Sequence, residues 1–161
     1  MNPMKIIGFW LALVLLMDSF TSVSFGGQSN PKEASAVVQL LRSGKVQRLE
    51  IIYYPEKIQT RARLTPDMLE NQYRYKLIVN DAQSSAVGQD VIAAIEADSL
   101  TASDQQADFR WGCSFYDSRG ERLTSLYFDA FGKIAMVDTV LMTSSGRVVK
   151  CLQRICAGFR K

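Results

Sequence analysis

Hydrophobic residues recur along the chain with two different spacings, and the switches between them predict its secondary structure. Apolar residues three or four apart, or residue patterns that start a helix, predict helices at 31–43, 66–72, 87–98 and from 148 onward. Apolar residues that alternate with polar ones predict strands at 46–54, 58–64, 73–79, 109–116, 123–128, 134–137 and 139–142. Helical and extended segments are therefore mixed along the whole chain after residue 30.

Turn-forming residues join the predicted strands to one another. Pro55 ends the first strand and the second begins soon afterwards, which predicts a two-strand hairpin. The sequences at 117–120 and 129–132 both end in glycine and predict the turns of a C-terminal meander. Together these elements predict an α+β domain of two layers, in which an antiparallel sheet of five to seven strands carries helices packed on one face.

The first 26 residues have the pattern of a signal peptide. Lys5 precedes an uncharged run of 12 residues at 6–17, which is shorter than the roughly 20 apolar residues of a membrane-spanning helix. Small residues follow and predict cleavage near 24–27. We therefore expect a secreted or periplasmic protein with a single domain at 27–161 and no stable membrane span after processing. The alternative is an uncleaved N-terminal anchor.

Export would place the three cysteines, Cys113, Cys151 and Cys156, in an oxidising compartment. On a regular helix, Cys151 and Cys156 would be about 8 Å apart, beyond the ~7 Å limit for a disulfide. This favours a bridge from Cys113 to Cys151 or Cys156. A Cys151–Cys156 bridge across a turn and three buried free thiols are the alternatives. The spacing does not match a zinc site.

The composition restricts the chemistry of the chain, because its 161 residues include no histidine. A Ser-His-Asp triad, a Cys-His pair and a His-ligated zinc site are therefore excluded for this chain alone. A hydrolase could still use two carboxylates, and the candidates are Asp104, Asp108, Asp117, Glu121, Asp129 and Asp138. The turn positions of Asp117 and Asp129 favour a structural role, since aspartate at a turn binds the nearby backbone. We predict no cofactor and no metal site.

Tyrosine and arginine side chains mark the candidate binding surface, because these residue types dominate the binding energy of many protein interfaces. We expect Leu49, Ile51, Leu77 and Val79 to face the helices, which leaves residues of the opposite parity exposed. The predicted binding residues are Arg48, Tyr54, Arg61, Arg63, Arg74, Lys76 and Tyr116.

These features predict a small exported binding protein, bacterial and periplasmic, that inhibits or neutralises another protein. Its partner would be an envelope toxin, against which it acts as an immunity protein, or a wall-degrading enzyme. The net charge of +3 is too small to favour nucleic acid as the ligand. Two alternatives stay open: a histidine-free envelope hydrolase with paired carboxylates, and a structural accessory of a secretion or surface assembly.

Overall fold

A computed structural model describes residues 32–157 of the chain. The predicted signal peptide, its cleavage site and the end of the chain after residue 157 lie outside the described residues. Within them, no helix has the length and apolar character needed to cross a lipid bilayer.

The described residues form four helices and seven strands. The helices are α1 (Lys32–Arg42), α2 (Pro66–Gln72), α3 (Ala86–Glu96) and α4 (Arg147–Ile155). The strands are β1 (Arg48–Tyr53), β2 (Tyr75–Asn80), β3 (Thr101–Ala102), β4 (Phe109–Tyr116), β5 (Arg122–Asp129), β6 (Ile134–Val137) and β7 (Val140–Thr143). All seven strands belong to one antiparallel sheet in the order β2-β1-β4-β5-β6-β7-β3, and the predicted α+β class is confirmed.

The sheet has an inner face and an outer face, because successive side chains of a strand point to opposite sides. Apolar side chains of β1, β4 and β5 pack on the inner face against α1, α3 and α4, as Leu49 and Leu152 show. Trp111 is fully buried in this core, and its ring stacks on Tyr53 with the centroids 4.0 Å apart. Three helices thus lie on one face, as predicted.

Helix α2 lies on the outer face of the sheet. Its Leu69 is fully buried in a second apolar cluster, where it packs with Ile52, Tyr54 and Tyr127. Pro66 starts the helix, and the hydroxyl of Thr65 accepts a hydrogen bond from the backbone N–H of Met68 at 3.3 Å. Outside this cluster, the outer face of β1, β2 and β4 carries mostly polar side chains beside the exposed Ile78, and no helix among the described residues.

The predicted hairpin strand at 58–64 is wrong, since this segment is a loop. Strand β1 already has β2 on one side and β4 on the other, so neither of its edges is free for a hairpin partner. The alternation of apolar residues in 58–64 therefore does not produce a sheet face. Only Leu64 of this segment is fully buried.

The three cysteines lie together on the inner side of the sheet, where all are buried free thiols. Burial raises the pKa of Cys113 far above its usual range, and the nearby Cys156 and Cys151 raise it further. Burial likewise raises the pKa of Cys156 to about 11. The bridge from Cys113 to Cys151 or Cys156 stays a prediction, and the structure shows that these residues are neighbours.

Candidate binding surface

The structure divides the seven predicted binding residues into two groups, one around Glu50 of β1 and one beyond the C-terminal end of that strand. Arg48 begins this strand and Tyr54 follows its last residue, so about 20 Å of extended chain separates them. The first group lies on the outer face and comprises Arg48, Lys76 and Tyr116. The second group lies around the loop at 55–64 and comprises Tyr54, Arg61, Arg63 and Arg74.

The first group is held together by Glu50, which stands at the centre of its charges. The Nζ atom of Lys76 lies 2.7 Å from Glu50 Oε2, and the Nε atom of Arg48 lies 3.5 Å from Glu50 Oε1. The hydroxyl of Tyr116 donates to the same carboxylate at 3.4 Å, and the Arg48 guanidinium lies 4.3 Å from the centre of the Tyr116 ring. The hydrogen bond to Glu50 raises the pKa of Lys76. One carboxylate therefore pairs with both cations of this group.

The second group surrounds the segment 55–64, which we name the basic loop. Arg110 of β4 holds it from beneath, and the Arg110 side chain is almost fully buried. Its Nη1 atom donates to the carbonyl oxygens of Pro55 at 3.2 Å and Ile58 at 3.1 Å, and its Nη2 atom lies 3.5 Å from the Thr60 hydroxyl. Its Nε atom donates to Asp108 Oδ2 at 2.8 Å. One guanidinium thus fixes three positions along the loop.

Both ends of the basic loop are also anchored. At its start, the hydroxyl of Tyr53 donates to the Glu56 carboxylate at 2.5 Å. At its end, the backbone N–H of Leu64 donates to Asp108 Oδ1 at 2.7 Å, and the N–H of Phe109 donates to the Leu64 carbonyl at 3.0 Å. Asp108 therefore binds both the loop end and Arg110, so the loop has a defined conformation without regular secondary structure.

Exposed cations project from the basic loop and from its surroundings. Arg61 and Arg63 are exposed on the loop itself, and Arg63 donates a 3.4 Å hydrogen bond to the side chain of Gln106. Arg74 is exposed as well, next to the ring of Tyr54. Among residues 32–157, no carboxylate forms an ion pair with these three arginines or with Lys57. This end of the molecule therefore presents uncompensated positive charge.

The prediction that Tyr54 is exposed is wrong, because only 6% of its surface is accessible. Helix α2 and the basic loop cover this part of the outer face, and the ring packs with Leu64 and Leu69. The guanidinium groups of Arg110 and Arg74 lie 5.4 and 5.8 Å from its centre. Tyr54 thus supports the basic loop and does not itself offer a contact surface.

Four of the six candidate catalytic carboxylates accept hydrogen bonds from backbone N–H groups, namely Asp108, Asp117, Asp129 and Asp138. Glu121 instead pairs with the Arg119 side chain, and Asp104 is exposed. Asp117 Oδ1 accepts from the N–H groups of Arg119 at 2.8 Å and Glu121 at 2.9 Å, and the bond from Glu121 is the main reason why its pKa is lowered. Asp129 accepts from two N–H groups of its turn, and Asp138 accepts from the N–H of Ser125 at 3.0 Å. Within the described part of the chain, no cluster of three or more acidic or cysteine residues is placed to hold a metal ion.

Arg110 and Asp108 organise the site, although the sequence pattern predicts no such role for either. The alternation at 109–116 makes Arg110 an ordinary polar position, and Asp108 is one of six candidate carboxylates. A usable signal was present, because Arg110 interrupts an apolar run at 109–115 and a carboxylate lies two residues before it. A charged residue inside such a strand needs a partner when it is buried.

Comparison of the chain with protein-family models, with curated proteins and with solved structures found no match. The basic loop is the part of the described surface in which uncompensated charge and a fixed backbone coincide.

Proposed function

We propose that this chain is a small exported protein that binds and neutralises a partner protein, and that the basic loop makes the central contact. The observation that carries this proposal is the anchoring of the loop by Arg110 and Asp108, which holds exposed Arg61 and Arg63 on a fixed backbone. A loop that is ordered before binding loses less conformational entropy in the complex. Arginine is also among the residue types that contribute most to interfaces.

The charge of the loop favours a partner with an acidic cleft. A guanidinium group matches a carboxylate with two parallel hydrogen bonds, and the match is strongest where water is excluded. Glycoside hydrolases that degrade cell walls carry a pair of carboxylates in the active site. Arg61 and Arg63 would therefore be suited to bind the carboxylates of such an enzyme and inhibit it. An immunity protein against an acidic envelope toxin would use the same loop in the same way.

Inhibition of a wall-degrading enzyme tests the proposal. The purified protein is added in equimolar amount to envelope muramidases, and the release of soluble fragments from peptidoglycan is measured. We expect inhibition by the native protein and a loss of at least about tenfold in affinity when Arg61→Glu and Arg63→Glu are combined, because two charge contacts become repulsive.

The matched control combines Arg147→Glu with Lys150→Glu on α4. Both residues are exposed, and this pair changes the net charge by the same amount at a site away from the loop. The control protein should inhibit like the native one. Equal losses in the two double variants would show a non-specific charge effect. Absence of both inhibition and a stoichiometric partner from an envelope extract would overturn the proposal.

A further inference from the structure

Strand β2 lies at one end of the sheet, and its outer edge has no strand partner among the described residues. The backbone N–H of Tyr54 donates to the carbonyl of Arg110 at 2.9 Å, so even-numbered residues of β1 direct their backbone groups towards β4. The carbonyl of Tyr53 accepts from Arg74 at 3.0 Å, so odd-numbered residues of β1 face β2. In the register of these strands, Tyr53 pairs with Tyr75, which leaves the backbone groups of the even-numbered β2 residues pointing outwards.

The outward backbone groups belong to Lys76, Ile78 and Asn80, and apolar side chains surround the first two. Ile78 is 49% exposed on the outer face. On the inner face Leu77 and Val79 are only partly buried, although their counterparts on β1 are fully buried. An exposed apolar edge of this kind is a template for pairing with another strand.

Lys76 does not protect this edge in the way that lysine usually does. A charged lysine on an edge strand normally opposes pairing, because a second strand would bury or repel its charge. Here Glu50 holds the Lys76 ammonium at 2.7 Å on the outer face. The charge is therefore compensated within the chain and kept away from the incoming backbone.

We propose that β2 pairs with β2 of a second copy of this chain, antiparallel about a two-fold axis at Leu77. In this register Leu77 faces Leu77, Tyr75 faces Val79, and Lys76 faces Ile78 of the second copy. The two narrow pairs between Lys76 and Ile78 supply about four backbone hydrogen bonds. Apolar and aromatic–β-branched pairs are favourable cross-strand neighbours, and no like charges face each other. The two sheets then form one continuous sheet, with the same patch used by both copies.

Two opposite charges at position 78 test both the dimer and its register. Ile78→Lys would place a lysine opposite Lys76 of the second copy, whereas Ile78→Glu would place a carboxylate there. Ile78 is about half exposed, so both variants should fold, although Glu50 opposite it on β1 favours the lysine over the glutamate within one copy. We expect sedimentation velocity to show a concentration-dependent dimer for the native protein, a dimer weakened about tenfold or more in Ile78→Lys, and a dimer retained in Ile78→Glu.

Phe131→Lys is the control, because Phe131 is 77% exposed in the turn between β5 and β6 and away from β2. This variant should dimerise like the native protein. A native protein that is monomeric at the highest concentration reached would overturn the proposal, as would equal weakening by the two Ile78 variants.

Hydrogen exchange at the Ile78 amide distinguishes a second copy from other segments that could cover this edge. If a second copy covers β2, protection of this amide rises with protein concentration. Protection that is already complete in the monomer would show that residues outside 32–157 cover the edge, and this result would also overturn the proposal.

Discussion

The side chains of Asp108 and Arg110 meet on one side of the sheet, with Arg110 Nε 2.8 Å from Asp108 Oδ2. The arginine side chain is 8% exposed and the aspartate side chain 36%, so the pair joins the interior to the surface. Removing one partner of such a pair leaves a charge without compensation in a poorly hydrated place. The conformation of the basic loop should therefore depend on this pair.

Replacement of Asp108 by Asn tests that dependence. The variant keeps an oxygen for the N–H of Leu64 but loses the charge that faces Arg110. We expect the free energy of unfolding to fall by about 2 kcal/mol, the usual range for a hydrogen bond to a charged group. Trypsin should also cut faster after Lys57, Arg61 and Arg63, because the loop opens more often. Chemical denaturation and timed proteolysis measure the two effects.

Asp104→Asn is the control for this experiment, since Asp104 is exposed and lies outside the loop contacts. Its free energy of unfolding should stay within about 0.5 kcal/mol of the native value. Trypsin should cut its loop at the native rate. Equal cleavage of the Asp108→Asn variant and the native protein would show that the loop does not need this carboxylate.

Tyr127 should give the protein a stability change at alkaline pH. Burial, together with the hydrogen bond to Glu70, raises the pKa of Tyr127 to about 12. The unfolded chain ionises first, so this stabilisation is present below about pH 10 and is lost as the pH rises towards 12. Denaturation midpoints measured across this range should fall steeply in the native protein and less steeply in Tyr127→Phe. Identical slopes would contradict the assignment.

The three buried cysteines give a prediction for the exported protein. Cys113 has Cys156 and Cys151 as neighbours, and thiol–disulfide exchange with an envelope oxidoreductase can join two of them. We expect peptide mapping without reductant to show a bridge from Cys113 to Cys151 or Cys156. Alkylation of all three thiols after denaturation in the absence of reductant would contradict it. Cys113→Ser serves as the control, because it removes the shared partner of both bridges.

Gly88 on α3 should not tolerate any side chain. A Cβ atom at this position would lie 1.9 Å from the carbonyl oxygen of Ala82, so helix and preceding turn would have to separate. We expect Gly88→Ala to lower the free energy of unfolding by about 3 kcal/mol. Gly120→Ala is the comparison, because no atom lies within 4 Å of its Cβ position although its φ is +81°. That variant should lose only about 1 kcal/mol, and equal losses would exclude the steric explanation.

Local sequence signals predicted the elements that depend on neighbouring residues. The pattern Thr65-Pro66-Asp67 places the start of α2 correctly, because the capping hydroxyl and the proline act within one turn. The strand predicted at 109–116 agrees with β4, and the turns at 117–120 and 129–132 join the strands of the meander as expected. These parts of the fold are encoded over a few residues.

Elements that depend on distant contacts were not predictable in the same way. Alternation at 58–64 resembles a strand, but the edges of β1 are taken by β2 and β4, which the local pattern does not reveal. The candidate site shows the same limit. Arginine and tyrosine indicated a binding surface by residue type, whereas the role of Arg110 arises from contacts to Pro55 and Ile58, more than 50 residues away.

The stacked pair of Trp111 and Tyr53 gives the protein an internal optical probe. The only other tryptophan is Trp10, which would leave with the first 26 residues on processing. The processed chain would then fluoresce from one indole at the centre of its core. Quenching of this fluorescence by a water-soluble agent would report each opening of the core. Unfolding of the processed chain could therefore be followed on unlabelled protein, with no signal from another tryptophan.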